Sequence, residues 1–305
     1  MDKSSVDWHG TIPALTTPFD AQGRIDEAGF RANVELCIGY GVDGVMVGGC
    51  TGEFWALARE ERKRLMTLCV ETVRKRAVVL AGTGAITTAE TIELTRHAAA
   101  AGCDGAVILP PFFVRPTADD IVAHYRAISD AVELPLVLYN IPSCAVNALT
   151  PDLVDRLADL ERVVAIKESS GDFANFYKTI EVAGDRLRVF MGPSSTMGLA
   201  AVSVGATGFI DCFPMIWGTE AVQFFRACKA GDLATAQRLQ ERGLRLTELT
   251  VANGRNLYSA TKAAMNMLGK PGGLPRAPLR PLAEPHLSEL RRGLIDLGFD
   301  ARAAA

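Results

Sequence analysis

The chain has 305 residues, 49% of them hydrophobic and 22% charged, with a formal net charge of −3. This is long enough to bury a full core, and the weakly acidic balance leaves no electrostatic footprint for nucleic acid. No apolar run is long enough to cross a bilayer and Met1-Asp2-Lys3-Ser4-Ser5 holds no apolar signal core, so a cytoplasmic protein without membrane contact is expected.

In chain order, short bursts of β-branched and small apolar residues appear at Thr11–Thr16, Gly44–Gly48, Ala77–Gly82, Gly105–Pro110, Pro135–Asn140, Val163–Glu168, Arg188–Gly192 and Thr207–Asp211. Helix-like segments separate them. Ala58–Lys75 puts Leu65, Leu68, Cys69 and Thr72 on one side, and Glu60-Glu61-Arg62-Lys63-Arg64 reads as its solvated face. Thr87-Thr88-Ala89-Glu90 is a capping-box start for a helix that Gly102 ends. Eight strand–helix units predict a parallel sheet closed into a (β/α)8 TIM barrel. An open doubly wound sheet has less support, because no GxGxxG follows the first strand.

After Asp211 the strand signal stops. Thr219–Ala230, Asp232–Val251, Arg255–Leu268 and Glu284–Leu297 read as helices, with a stripe of Leu233, Ala236, Leu239, Gly243, Leu246 and Leu249 along the second. Gly269-Lys270-Pro271-Gly272-Gly273 separates the last two. The expected division is a catalytic barrel over residues 1–228 and a small helical C-terminal extension over 229–305, with Ala301–Ala305 frayed.

Seven cysteines without a CxxC pair read as reduced thiols in mostly apolar surroundings. The four histidines are too scattered for a metal site, and no metal is expected.

In a barrel, chemistry belongs at the C-terminal strand ends. Lys167 closes the sixth burst. Burial there disfavours its ammonium form and frees the amine to attack a carbonyl. The competing reading is a lysine that snorkels to the surface and pairs with Glu168. Tyr139 ends the neighbouring fifth burst, where a phenol could shuttle protons for imine chemistry. Gly48-Gly49-Cys50-Thr51-Gly52-Glu53 is a glycine turn suited to a small anion such as the carboxylate of a 2-oxo acid, although such a turn alone need bind nothing. Glu53 is expected to brace that loop. Gly192 and Ile210 lie at the ends of the seventh and eighth bursts.

Pro13-Ala14-Leu15-Thr16-Thr17-Pro18-Phe19-Asp20, Gly49-Cys50-Thr51-Gly52-Glu53, Tyr139-Asn140-Ile141-Pro142 and Ile166-Lys167-Glu168, in this order, resemble the dihydrodipicolinate synthase/N-acetylneuraminate lyase superfamily of Schiff-base class I aldolases. The resemblance implies a homotetramer, or a dimer, a small 2-oxo acid substrate and no cofactor. It implies that Lys167 forms the imine, that Tyr139 relays protons, that the N–H groups of Cys50 and Thr51 hold the keto-acid carboxylate, and that the Thr51 hydroxyl positions Tyr139. Gly49, Cys144, Gly192 and Ile210 complete the implied substrate pocket.

The chain departs from that pattern in three places. Synthases of the lysine pathway resemble one another in an arginine two residues after the YNxP proline; here that residue is Cys144. Losing a charge-assisted hydrogen bond costs roughly 1.5–3 kcal/mol. A tyrosine that a neighbouring subunit donates in the family is Phe113 here. The acidic residues that hold a polyol in sialic-acid lyases are replaced by Gly192-Pro193-Ser194-Ser195-Thr196. The expected activity is therefore cleavage, condensation or dehydration of pyruvate or a short hydroxylated 2-oxo acid. A 4-hydroxy-tetrahydrodipicolinate synthase and a non-catalytic keto-acid-binding barrel are the alternatives. Ile86, Arg59 and Arg62 stand where lysine-inhibited synthases resemble one another in polar groups, so no inhibition by lysine is expected.

Overall fold

The computed structural model describes residues 1–301. Its strands are β1 (Gly10–Pro13), β2 (Gly44–Val47), β3 (Val78–Gly82), β4 (Gly105–Ile108), β5 (Leu136–Asn140), β6 (Val163–Glu168), β7 (Arg188–Met191) and β8 (Gly208–Asp211). They pair in parallel in the order β1-β8-β7-β6-β5-β4-β3-β2. A parallel bridge between Ala14 and Met46, with the Leu15 N–H donating to the Met46 carbonyl at 2.9 Å, joins β1 to β2. The result is a (β/α)8 barrel, and each strand lies within one of the eight bursts read from the sequence or extends it by one residue.

The barrel interior is filled by side chains rather than left as a channel. Ile12, Met46, Leu80, Val107, Val137, Ala165, Phe190 and Ile210 point inward from the strands, and Trp8 closes the N-terminal end. A Cβ on Gly105 would meet the Trp8 ring at 2.4 Å, so the indole requires glycine there. A second apolar layer lies between strands and helices. Leu65, Leu68, Cys69 and Thr72 of helix Arg59–Val73 are buried, as the periodicity predicts. Thr87 caps helix Thr88–Ala101 and Gly102 ends it at φ +89°.

Arg62 corrects the sequence reading. It is buried, its guanidinium lies 5.2 Å from the Phe54 ring centroid, and it donates to the carbonyls of Gly82 and Gly84 at 3.0 and 2.9 Å. Carbonyls at the end of β3 and just beyond it hold it away from the helix's solvated face. Arg59 is neutralised by Glu90 and Glu93. Ile86 stays exposed and apolar, as the sequence reading has it.

Helix Thr219–Ala230 runs through residue 228, and helices Leu233–Val251, Leu257–Met267 and His286–Asp296 follow. Ala236, Leu239, Gly243 and Leu246 are buried, while Leu233 in the first turn is 59% exposed. The Gly269–Gly273 segment is tied down rather than loose. Lys270 donates to the carbonyls of Met215 and Ile216, and Asn266 accepts the N–H groups of Gly272 and Gly273. Ala301 is buried, against the expected fraying, and residues 302–305 lie outside the described residues.

Candidate active site

Lys167 and Tyr139 are cross-strand partners in the parallel register of β5 and β6, so both side chains reach the same level of the barrel. Lys167 is only 4% exposed. Its Nζ lies 4.2 Å from the Tyr139 ring centroid and 3.9 Å from Met46 Sδ. Glu168 faces the other way, accepting from the Asn140 and Asn175 amides and the Ser170 N–H. The snorkelling ion pair is thus excluded. Burial holds the Lys167 pKa below its ordinary value, with nearby acidic groups opposing it only in part. An amine with soft, weakly polar neighbours is prepared for nucleophilic attack.

Burial also pushes the Tyr139 phenol well above its usual range, so it stays protonated. Its hydroxyl donates to Cys50 Sγ at 3.8 Å. The sequence reading gave that place to Thr51, whose hydroxyl instead lies beside the Cys212 thiol. The cause is the short 3-10 turn Cys50–Gly52, in which successive side chains point about 120° apart, so only one of the pair can face Tyr139.

Lys167, Tyr139, Cys50, Thr51, Gly192 and Ile210 line one cavity of about 180 Å³. Gly192 is required beside the lysine strand, since a Cβ there would meet the Glu168 carbonyl oxygen at 2.9 Å. Gly49 and Cys144 are the exceptions among the expected residues, since neither lines this cavity. Gly49 faces a smaller void behind Met46 with Gly82 and Leu109. Cys144 sits at the exposed rim, its Sγ 4.0 Å from the Tyr258 hydroxyl. Glu53 is fully buried and braces the loop as expected, ion-paired with Lys262.

Sequence reasoning missed Leu257 and Tyr258, which reach the cavity from the C-terminal helices. The available signal was Asn256, a helix cap that accepts the N–H groups of Tyr258 and Ser259 and so fixes where that helix starts. Asp211 was also missed. Its carboxylate accepts the N–H groups of Ser194 and Phe213, and burial raises its pKa.

A desolvated amine in register with a protonated phenol, at the mouth of a (β/α)8 barrel, is the equipment of a Schiff-base class I lyase. Comparison with known proteins agrees. Residues 7–296 match the model of the dihydrodipicolinate synthetase family. A 4-hydroxy-tetrahydrodipicolinate synthase from Methanothrix thermoacetophila is 34% identical over 298 residues, covering 97% of this chain and 100% of the relative. One from Phenylobacterium zucineum is 35% identical, covering 96% and 98%. The crystal structure of YagE, a prophage protein of the dihydrodipicolinic acid synthase family from E. coli K12 in complex with pyruvate, superposes with a TM-score of 0.92 at 30% identity, covering 96% of this chain and 100% of that one. The chain belongs to the dihydrodipicolinate synthetase family, whose members are class I lyases acting through a Schiff base.

Proposed function

We propose that the enzyme acts on pyruvate or a short hydroxylated 2-oxo acid, by aldol cleavage or condensation or by loss of water, through an imine on Lys167. The observation that carries this reading is the composition of the cavity wall. Among the described residues lining it, Lys167 is the only cation, and the residue two places after the YNxP proline, beside the cavity-lining Tyr258, is Cys144. A second carboxylate on the substrate would find no guanidinium there. The loss of such a bond disfavours a dicarboxylate-forming condensation by roughly 1.5–3 kcal/mol, or about 10- to 150-fold.

In this reading the N–H groups of Cys50 and Thr51 hold the keto-acid carboxylate. They open the 3-10 turn and have no partner within it. The Lys167 lone pair attacks C2, the carbonyl oxygen leaves as water with protons delivered through Tyr139, and the resulting iminium accepts the electron pair of the bond broken at C3. The reading also includes a homotetrameric, cytoplasmic enzyme. Phe113, Val114 and Val146 are exposed on the loops after β4 and β5, which supports coverage by another copy of the chain.

The names of the curated relatives favour a second reading, 4-hydroxy-tetrahydrodipicolinate synthase. Two measurements separate the readings. Borohydride reduction with pyruvate should add one pyruvyl mass to the wild type and none to Lys167→Ala. Pyruvate release from a panel of short hydroxylated 2-oxo acids should exceed condensation of pyruvate with aspartate semialdehyde. Efficient condensation would reinstate the synthase, and no adduct with any 2-oxo acid would leave a binding protein.

A further inference from the structure

The lining of the cavity changes character between its floor and its mouth. Lys167, Tyr139, Cys50 and Thr51 are buried and form the floor. Ile141, Ser169, Pro193, Leu257 and Tyr258 are the half-buried lining residues and mark the mouth. None of them is charged, and apart from Ser169 each presents hydrocarbon or an aromatic ring. The Tyr258 ring does not stand alone. The Trp55 ring lies 5.1 Å from it between centroids, that of Phe54 lies 5.8 Å from Trp55, and that of Phe112 lies 5.8 Å from Phe54. Trp55 is 39% exposed, so an aromatic shelf runs outward from the mouth. Its inner edge is fixed by Asn256, which accepts the N–H groups of Tyr258 and Ser259.

We propose that this wall is the distal subsite of the cavity and selects a 4-hydroxy-2-oxo acid whose C4 carries a neutral apolar or aryl substituent, with Tyr258 as the specificity-determining residue. The proposal rests on the imine reading above and names the substrate class which that reading leaves open. The Cys50–Thr51 turn and Lys167 hold the keto-acid carboxylate and C2 at the floor, so the substituent on C4 is the part that reaches the mouth. The enclosed space is about 180 Å³, less than the roughly 300–1,000 Å³ of a pocket that surrounds a drug-sized ligand. The substituent therefore lies against the shelf, with the short acid chain inside. In cleavage the Tyr139 phenolate left by water loss takes the C4 hydroxyl proton, and the freed oxygen pair forms the aldehyde carbonyl. The C3–C4 bonding pair becomes the C2–C3 double bond, and the iminium pair moves to the Lys167 nitrogen. A neutral aldehyde leaves across the apolar mouth.

The chemistry of the mouth separates the substituents that could occupy it. A second carboxylate meets no cation there, and Asp211, buried and lining the same cavity, contributes a carboxyl group rather than a base. A polyol chain needs a partner for each hydroxyl it takes out of water, and the mouth offers the hydroxyls of Ser169 and Tyr258. An apolar group needs no partner and gains from contact with Ile141, Pro193 and Leu257. An aryl group gains further from offset or edge contact with the Tyr258 ring. Trp55, tilted 52° to that ring, backs it.

The test is cleavage of racemic 4-hydroxy-2-oxo-4-phenylbutanoate, 4-hydroxy-2-oxopentanoate and 4-hydroxy-2-oxoglutarate by the intact enzyme. Pyruvate release is followed by NMR, with borohydride trapping of pyruvate in parallel. kcat/KM should favour the phenyl over the methyl compound by about 10–200-fold, the scale on which apolar pockets discriminate. It should favour the methyl compound over the dicarboxylate by about tenfold or more. Tyr258→Ala should lower the phenyl-to-methyl ratio by roughly tenfold, the worth of an aromatic pair, mainly through KM, and should still form the pyruvate adduct. Tyr258→Phe keeps the ring and should keep the ratio. With the adduct formed, any of three results would overturn the subsite alone: no cleavage of the phenyl compound, dicarboxylate cleavage as fast as phenyl, or an unchanged ratio in Tyr258→Ala. No adduct in the wild type would overturn the imine reading and the subsite with it.

Discussion

The Lys262 ammonium of the C-terminal helices donates into the Glu53 carboxylate of the loop after β2, at a point where their side chains are 1% and 0% exposed. The lysine also donates to the Leu274 carbonyl at 2.8 Å, and its Nζ lies over the Phe19 ring. Burial brings its pKa down to about 8 although Glu53 opposes the shift. Removing one charge strands the other in low dielectric, which costs about 3–5 kcal/mol. Lys262→Met should therefore lower the unfolding free energy by that amount, and Glu53→Leu with Lys262→Met should recover most of it. Urea titration of the three proteins measures both. A double variant as unstable as the single one would mean that the pair is not coupled.

Tyr139→Phe removes a hydroxyl and little else, so the melting temperature should hardly move. Turnover should fall by about 10³–10⁴-fold, the upper part of the range for a general acid–base group, because Phe113 offers no second phenol. A loss of less than tenfold would place the proton path elsewhere.

Lys167→Met should abolish the borohydride adduct and stabilise the fold. Burial lowers the lysine's pKa in the folded state. Below that value the unfolded state holds the proton on better terms, and the penalty is fully present. As pH rises through the folded value toward the ordinary 10.5 the penalty disappears. The stability gained by the variant should accordingly be greatest near neutral pH and shrink in alkali. Unfolding of both proteins at pH 7 and 10 checks the sign.

His124 gives a dependence of the same sign, at acid pH. It is 5% exposed, Thr88 Oγ1 lies 2.9 Å from its Nδ1, and burial brings its pKa down from 6.5 to about 4. The neutral ring's contribution is present above pH 6.5 and is lost as pH falls toward 4. Between pH 7 and pH 5 the protein should lose about 2 kcal/mol on this account. His124→Gln should lose correspondingly less over the same interval.

The eight strands were legible because each carries its own signal, a β-branched run ended by glycine, proline or a polar residue, and the spacing of Tyr139 and Lys167 at neighbouring strand ends placed the chemistry. What escaped the sequence depends on distant partners. Arg62 sits in a run of charges and is buried only because β3 leaves carbonyls above it. Tyr258 follows the last strand by a long stretch and reaches the cavity because Asn256 fixes where its helix begins. The exchange of Cys50 for Thr51 as the partner of Tyr139 is a matter of side-chain direction within a three-residue turn, which residue types do not encode. Cys144 reads as a lost arginine in one dimension and, in three, as an exposed thiol beside the Tyr258 hydroxyl.

Glu53 and Lys262 also set an order of events during synthesis. At ribosomal speeds of about 5–20 residues per second, the carboxylate waits roughly 10–40 s for its counter-ion to be made. Until then the loop after β2 has reason to keep its charge in water. The nascent barrel can pair its strands, but the buried seat of Glu53 is completed only once the helix that carries Lys262 has been translated.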